Sequence, residues 1–169
     1  MSNIYINSKK IKSSIIEIGK QITNDYIGEE LIVVGLLKGA FIFMADLIRN
    51  ININTLYTDF MMVTSFGKNN KRDKEIKIIL DLNTPIAGKN VLLVEDIIDT
   101  GRTFDKVIKI LNSRNPKSLK TCVLLDKSCC REVEVTIDYR CFEIENDFVY
   151  GYGLDNCQRS RNIPHILIV

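Results

Sequence analysis

Directly after the apolar run Val91-Leu92-Leu93-Val94 stand Glu95 and Asp96, then two aliphatic residues, then Asp99, Thr100, Gly101, Arg102 and Thr103. Two adjacent acids at the end of a buried strand lose hydration and repel each other unless hydroxyl donors or a cation meet them. A ribose diol, or magnesium bound to it, supplies both. Thr100 to Thr103 adds a glycine that permits close backbone approach, two hydroxyls, and the amides of a helix N-terminus, a set suited to a phosphate dianion. Taken as isolated residue types, the same acids and Thr-Gly could equally cap a helix on a solvated loop. Their order behind a clear buried strand tips the reading toward a sugar phosphate.

Leu37-Lys38-Gly39 follows another apolar run and could turn backbone amides and one cation toward an anion; Lys38 alone would ordinarily be a solvated lysine. Other phosphate motifs fail. The Gly-Lys pairs at Gly19, Gly67 and Gly88 lack the following Ser or Thr of a P-loop, and the segment from Gly151 lacks the third glycine of a dinucleotide fingerprint.

These residues need elements to hold them. Ile11, Ile15, Ile18 and Ile22 recur at helical spacing behind Ser8, a candidate N-cap. LIVVGLL (31–37) reads as a strand buried on both faces, Phe41, Met44 and Ile48 as a helix, and 56–64 as a strand. The polar stretch SFGKNNKRDK (65–74) reads as a mobile loop before a strand at 75–80. VLLVE forms the next strand, Phe104, Val107, Ile108 and Leu111 mark a helix, and 119–125 is a further strand. Short strands are expected near Val135, Phe148 and Ile166. This alternation predicts one α/β domain with a mostly parallel sheet and helices on both faces, whose ligands bind at the carboxyl ends of the strands.

At 169 residues the chain suffices for a single core. Its 23 basic and 21 acidic residues give a net charge of +2, so no global field points to nucleic acid or a membrane surface. Five cysteines without a C-x-x-C pair, beside one histidine, argue against a disulfide framework and a zinc site. Adjacent Cys129 and Cys130 read as ordinary buried or half-buried thiols. With no apolar stretch fit for a signal peptide or a membrane span, a soluble cytoplasmic protein is expected.

The string VLLVEDIIDTGRTF resembles, over its whole length, the diphosphate-sugar signature of type I phosphoribosyltransferases, and VEDIIDTG is similar to their hypoxanthine-guanine branch. The resemblance runs from about Ile32 to the C-terminus. It implies a central, mostly parallel twisted sheet flanked by helices, with a small hood formed mainly by C-terminal residues (about 127–169). It implies that Lys38 and Gly39 lie in a turn that binds the diphosphate leaving group and often contains a non-proline cis peptide. It further implies that Glu95 and Asp96 hold the ribose hydroxyls and, with Asp155, magnesium; that Thr100, Gly101, Arg102 and Thr103 receive the phosphate; and that Arg161 contacts the diphosphate. Lys127 would meet the 6-oxo group of a purine, Phe148 stack on the base at about 1 to 3 kcal/mol, and the Val149 backbone read its edge, with Asp155 close by. An ammonium donates but cannot accept, which favours 6-oxo over 6-amino purines. Ser65, Phe66 and Gly67 match the family's mobile loop, except that Phe66 replaces a tyrosine; Tyr150 replaces a small aliphatic residue. Without the resemblance, Phe148 reads as core and Asp155 as a turn cap.

The activity so implied joins N9 of hypoxanthine or guanine to C1 of 5-phosphoribosyl 1-diphosphate with Asp99 as general base, in a homodimer or homotetramer and without nucleic acid or membrane as partner. Two rivals are weaker: a regulator on the same scaffold that senses a nucleotide or sugar diphosphate and binds RNA or DNA, and an enzyme specific for adenine or a pyrimidine.

Overall fold

The computed structural model describes residues 3–66 and 75–169. A six-stranded sheet forms its centre, in the order β4-β3-β2-β5-β6-β7. Its strands are β2 (Leu31–Leu37), β3 (Leu56–Phe66), β4 (Glu75–Leu80), β5 (Asn90–Ile98), β6 (Ser118–Asp126) and β7 (Tyr139–Glu143). All neighbours pair in parallel except β3 with β4, which run antiparallel.

Alternate residues of the central strands feed two cores, as the pleat requires. Val33, Leu92, Val94 and Leu124 face α1 (Ser8–Asp25) and α2 (Phe41–Ile48). Ile32, Val34, Leu93 and Val123 face α3 (Arg102–Asn112) through Phe104, Val107 and Leu111. Burial on both faces is why these strands read as unbroken apolar runs.

The expected elements form, with differences that have local causes. Helix α1 is capped by Asn7, whose side chain accepts a 3.0 Å bond from the Lys10 amide, so Ser8 is the first helical residue. On α2 the buried residues are Phe43, Met44 and Leu47, while Phe41 is exposed: nearly the whole helix is apolar, and its spacing alone does not choose a face. No strand forms at Val135. Val135 and Ile137 pack against the α3-side core, but their segment is tied to β6 by a Thr121 hydroxyl bond to the Thr136 carbonyl and by the Asp138 carboxylate at the Thr121 amide. Of the loop expected at 65–74, Ser65 and Phe66 instead end β3, where they pair with Ile76 and Glu75 of β4, and the rest, from Gly67 onward, lies outside the described residues. All five cysteines are free; of the adjacent pair, Cys130 is half-buried as expected and Cys129 is exposed. Among the described residues no helix is long and apolar enough to cross a membrane.

A second sheet, β1-β9-β8, is antiparallel and makes the hood. Two of its strands are C-terminal, β8 (Val149–Tyr150) and β9 (Ile166–Ile168); the third, β1 (Asn3–Ile6), comes from the N-terminus. The chain leaves β2 toward β3 on one side, and β5 leads toward β6 on the other. The carboxyl ends of β2 and β5 therefore flank the point where strand order reverses, the crevice in which open parallel sheets bind ligands.

Candidate active site

At that crevice stand the acid pair and the Leu37-Lys38-Gly39 turn. In β5 burial is complete through Val94 and relaxes at Glu95 and Asp96. The Asp96 amide donates to Glu95 Oε1 at 3.0 Å, and the Ile97 amide to Asp96 Oδ1 at 2.9 Å. Both carboxyl groups are hemmed in by protein yet keep a window to solvent. Lost hydration first, and then the charge of Asp96, push the Glu95 carboxyl well above the ordinary range. Lost hydration also raises Asp96, against the hydrogen bonds it accepts and the charge of Arg161.

The Leu37–Lys38 peptide is cis, as the resemblance implied, and Lys38 is exposed beyond the strand end. A Cβ on Gly39 would overlap the Asp96 carboxylate, and a Cβ on Gly153 would overlap the Gly39 carbonyl oxygen. Gly153 also has φ +101°, a conformation L side chains rarely adopt. Two glycines thus let the turn after β2, the acid pair of β5 and the hood touch one another. From the hood, Arg161 donates to the Gly153 carbonyl at 2.7 Å and to Asp155 Oδ1 at 2.8 Å, while the Gln158 amide holds Asp155 Oδ2 at 2.8 Å.

After β5 the chain turns through Asp99 and Thr100 into α3. Gly101 caps that helix at φ +82° without a side chain of its own over the first-turn amides, and a Cβ there would stand 2.5 Å from the Val133 carbonyl oxygen. Thr100 Oγ1 accepts from the Arg102 amide at 3.4 Å, Thr103 is exposed, and the Arg102 guanidinium pairs with Glu132, its Nε at 2.6 Å. Asp99 is exposed beside the Cys130 thiol, whose pKa is pushed to about 11 by lost hydration and then by Cys129 and Asp99. Lys127 is buried just past β6, its amide donating to the Ile98 carbonyl at 2.9 Å. Phe148 is 56% exposed, which overturns its reading as core, whereas Val149 is buried and pairs with Ile168.

Comparison with known proteins gives the family. Residues 2–156 match the phosphoribosyl transferase domain family. The chain belongs to that family. It is 46% identical over 165 residues to the hypoxanthine phosphoribosyltransferase of Salmonella typhimurium, covering 96% of this chain and 92% of the relative. It is also 46% identical to the enzyme of that name from Haemophilus influenzae, covering 97% and 93%. Among solved structures, a hypoxanthine-guanine phosphoribosyltransferase of Bacillus anthracis superposes with a TM-score of 0.94 at 39% identity, covering 99% of this chain and 98% of the other.

Within this phosphoribosyl transferase domain the sequence-predicted residues fall into three groups. Lys38, Gly39, Glu95, Asp96, Asp155 and Arg161 are linked by the contacts at Gly39 and Gly153. Asp99 to Thr103 form the adjoining loop and the start of α3. Of the three base-end residues, Lys127 is tied to the end of β5 through the Ile98 carbonyl, whereas Val149 opens β8 in the hood and Phe148 before it is exposed. Sequence reading did not single out Gly153, Arg131 or Val133, which hold these groups in place; the only available signal was the second glycine of Gly151-Tyr152-Gly153. Among the described residues no three His, Cys, Asp or Glu side chains gather into a metal cage. The crowded Glu95–Asp96 pair nevertheless fits a cation or hydroxyl donors, either of which would make good the lost hydration that raises both groups.

Proposed function

We propose that the chain transfers the 5-phosphoribosyl group of 5-phosphoribosyl 1-diphosphate to a 6-oxopurine, hypoxanthine and/or guanine, giving IMP and/or GMP and diphosphate. The observation that carries the reading is the convergence of Gly39, Asp96 and Gly153. In the family fold that contact supports reading the turn after β2 as the leaving-group turn and Glu95–Asp96 as the acid pair for a diol, with Arg161 of the hood close by.

In this reading Glu95 and Asp96 accept hydrogen bonds from the ribose hydroxyls and fix C1 for in-line displacement. The Thr100 to Thr103 amides and hydroxyls hold the 5′-phosphate, with the first-turn amides of α3 adding positive potential. Lys38, the Gly39 backbone and Arg161 receive the diphosphate as it leaves. Lys127 donates to the 6-oxo group, Phe148 covers one face of the purine, and the Val149 backbone reads its edge. Asp99, as general base, accepts the N7 proton as N9 bonds to C1 and the bond to diphosphate breaks, so that charge on the purine does not build up; positioned proton transfer of this kind contributes about 10² to 10⁴ in rate. The ribose passes through an oxocarbenium-like transition state.

Magnesium, when bound, supplies charge neutralisation for the diphosphate. One or two of the carboxylates Glu95, Asp96 and Asp155 would hold it, with substrate phosphates and water completing its shell. The same reading carries a cytoplasmic homodimer or homotetramer, for which sedimentation is the measurement.

Incubation with the sugar diphosphate, magnesium and each of hypoxanthine, guanine, xanthine, adenine and uracil tests the proposal. Diphosphate should appear with hypoxanthine and/or guanine and not with adenine or uracil. Release with adenine or uracil alone would move the acceptor to another base, and binding without turnover for every base would favour a nucleotide sensor.

A further inference from the structure

Three consecutive carbonyls of the phosphate loop are tied to one segment, residues 127–133. The Ile98 carbonyl accepts from the Lys127 amide at 2.9 Å, and the Thr100 carbonyl from the amides of Glu132 and Val133 at 3.0 and 3.1 Å. The carbonyl between them, that of Asp99, accepts from a side chain instead: Arg131 Nη1 at 2.8 Å. In a planar trans peptide the carbonyl of one residue and the amide of the next point in opposite directions. Holding the carbonyls of Ile98, Asp99 and Thr100 toward this segment therefore turns the amides of Asp99, Thr100 and Gly101 the other way.

Arg131 is itself held. Its Nη2 pairs with Asp126 Oδ1, and Asp126, with 3% of its side chain exposed, accepts from Arg140 Nη1 at 2.8 Å through its second oxygen. Such a buried carboxylate needs cationic partners, and a guanidinium has enough donors to serve it and the Asp99 carbonyl at once. The Arg131 stem also packs on Gly101, where a Cβ would stand 3.0 Å from Arg131 Cδ.

We propose that Arg131, locked by Asp126, is a positioning residue for the 5′-phosphate: it fixes the Asp99–Thr100 peptide so that the Thr100 amide is presented to the phosphate, and thereby sets the preference for phosphorylated over unphosphorylated ribosides. This rests on the functional reading above, which places the 5′-phosphate in this loop. The strap that orients the loop also begins at Lys127, so one short segment joins the phosphate end of the site to the base end.

The test compares inosine 5′-monophosphate with inosine by calorimetric titration, for the intact protein and for Arg131→Met, with melting temperatures recorded. Arg131→Met should weaken the nucleotide about tenfold or more, the size expected for one hydrogen bond to a charged group, and change inosine less than twofold. Equal weakening of both ligands would make Arg131 a general support of the fold and overturn the proposal, as would unchanged nucleotide affinity. Should Arg131→Met fail to fold, Asp126→Asn, which keeps the shape of the carboxylate and removes its charge, must reproduce the selective loss in smaller measure or the proposal falls. If the intact protein binds neither ligand, the functional reading itself fails, a result distinct from any effect of the variants.

Discussion

The carboxyl ends of β5 and β6 lie side by side in parallel register, Ile98 opposite Asp126, and each carries acids with opposite fates. Asp126 is sealed from water and bound by two guanidiniums, so its charge is answered within the protein. Glu95 and Asp96 have backbone amides and each other, and both are pushed toward protonation. A few ångströms of sheet thus separate a carboxylate whose partners are built in from a pair whose partners must arrive. The first shapes the loop; the second is left in the electrostatic deficit that a ligand's hydroxyls or a cation can relieve.

Removing the satisfied acid should have the largest effect. Asp126→Ala leaves Arg131 without its anchor, and urea denaturation should show a loss of about 3 kcal/mol, the lower end for a broken buried pair because Arg140 can turn to water. A loss below 1 kcal/mol would mean the two strand ends are not electrostatically different. Next, Gly39→Ala drives a Cβ into the Asp96 carboxylate. Overpacking costs about 1 to 3 kcal/mol, and here it should also fall on affinity for 5-phosphoribosyl 1-diphosphate; unchanged affinity would separate the turn from the acid pair.

Glu95→Gln should go the other way. By removing one of two repelling charges it should raise the free protein's melting temperature by about 2 to 4 °C, the change that accompanies about 1 kcal/mol in a domain of this size, while weakening sugar-diphosphate binding. A lowered melting temperature would show Glu95 to be as well satisfied as Asp126. The smallest effect is the pH slope. The folded Glu95 carboxyl titrates above its ordinary value of 4.5, so above that pH the unfolded chain holds fewer protons than the folded one. Stability from this group is complete below 4.5 and is lost as pH rises through the folded value. Thermal melts from pH 4 upward should show the intact protein losing stability relative to Glu95→Gln, and parallel curves would contradict the shift.

Much of this was legible before any coordinates. Apolar runs of 4 to 8 residues bounded by turns announced β2, β5 and β6, because a strand buried on both faces admits little else. The acid pair and the Thr-Gly turn were legible because their chemistry is local, five residues of chain behind one strand. Where burial depended on a distant partner, the sequence was mute or misleading. Phe148 has the composition of a core residue and lies in solvent, since the hood buries its neighbours Val149 and Tyr150. Val135 sits in an apolar alternation that packs without forming a ladder, and β1 pairs with β9 from the far end of the chain.

By itself, then, the sequence determined the element order, the α/β class and the position of the acid-rich phosphate loop, all consequences of periodicity and near-neighbour chemistry. Only the tertiary structure decided which acids are answered and which are not, because Asp126 meets Arg131 and Arg140 across a turn and a neighbouring strand, while Asp96 meets Gly39 across the reversal of the sheet. Electrostatic satisfaction is a property of distances in space, and those are fixed by packing.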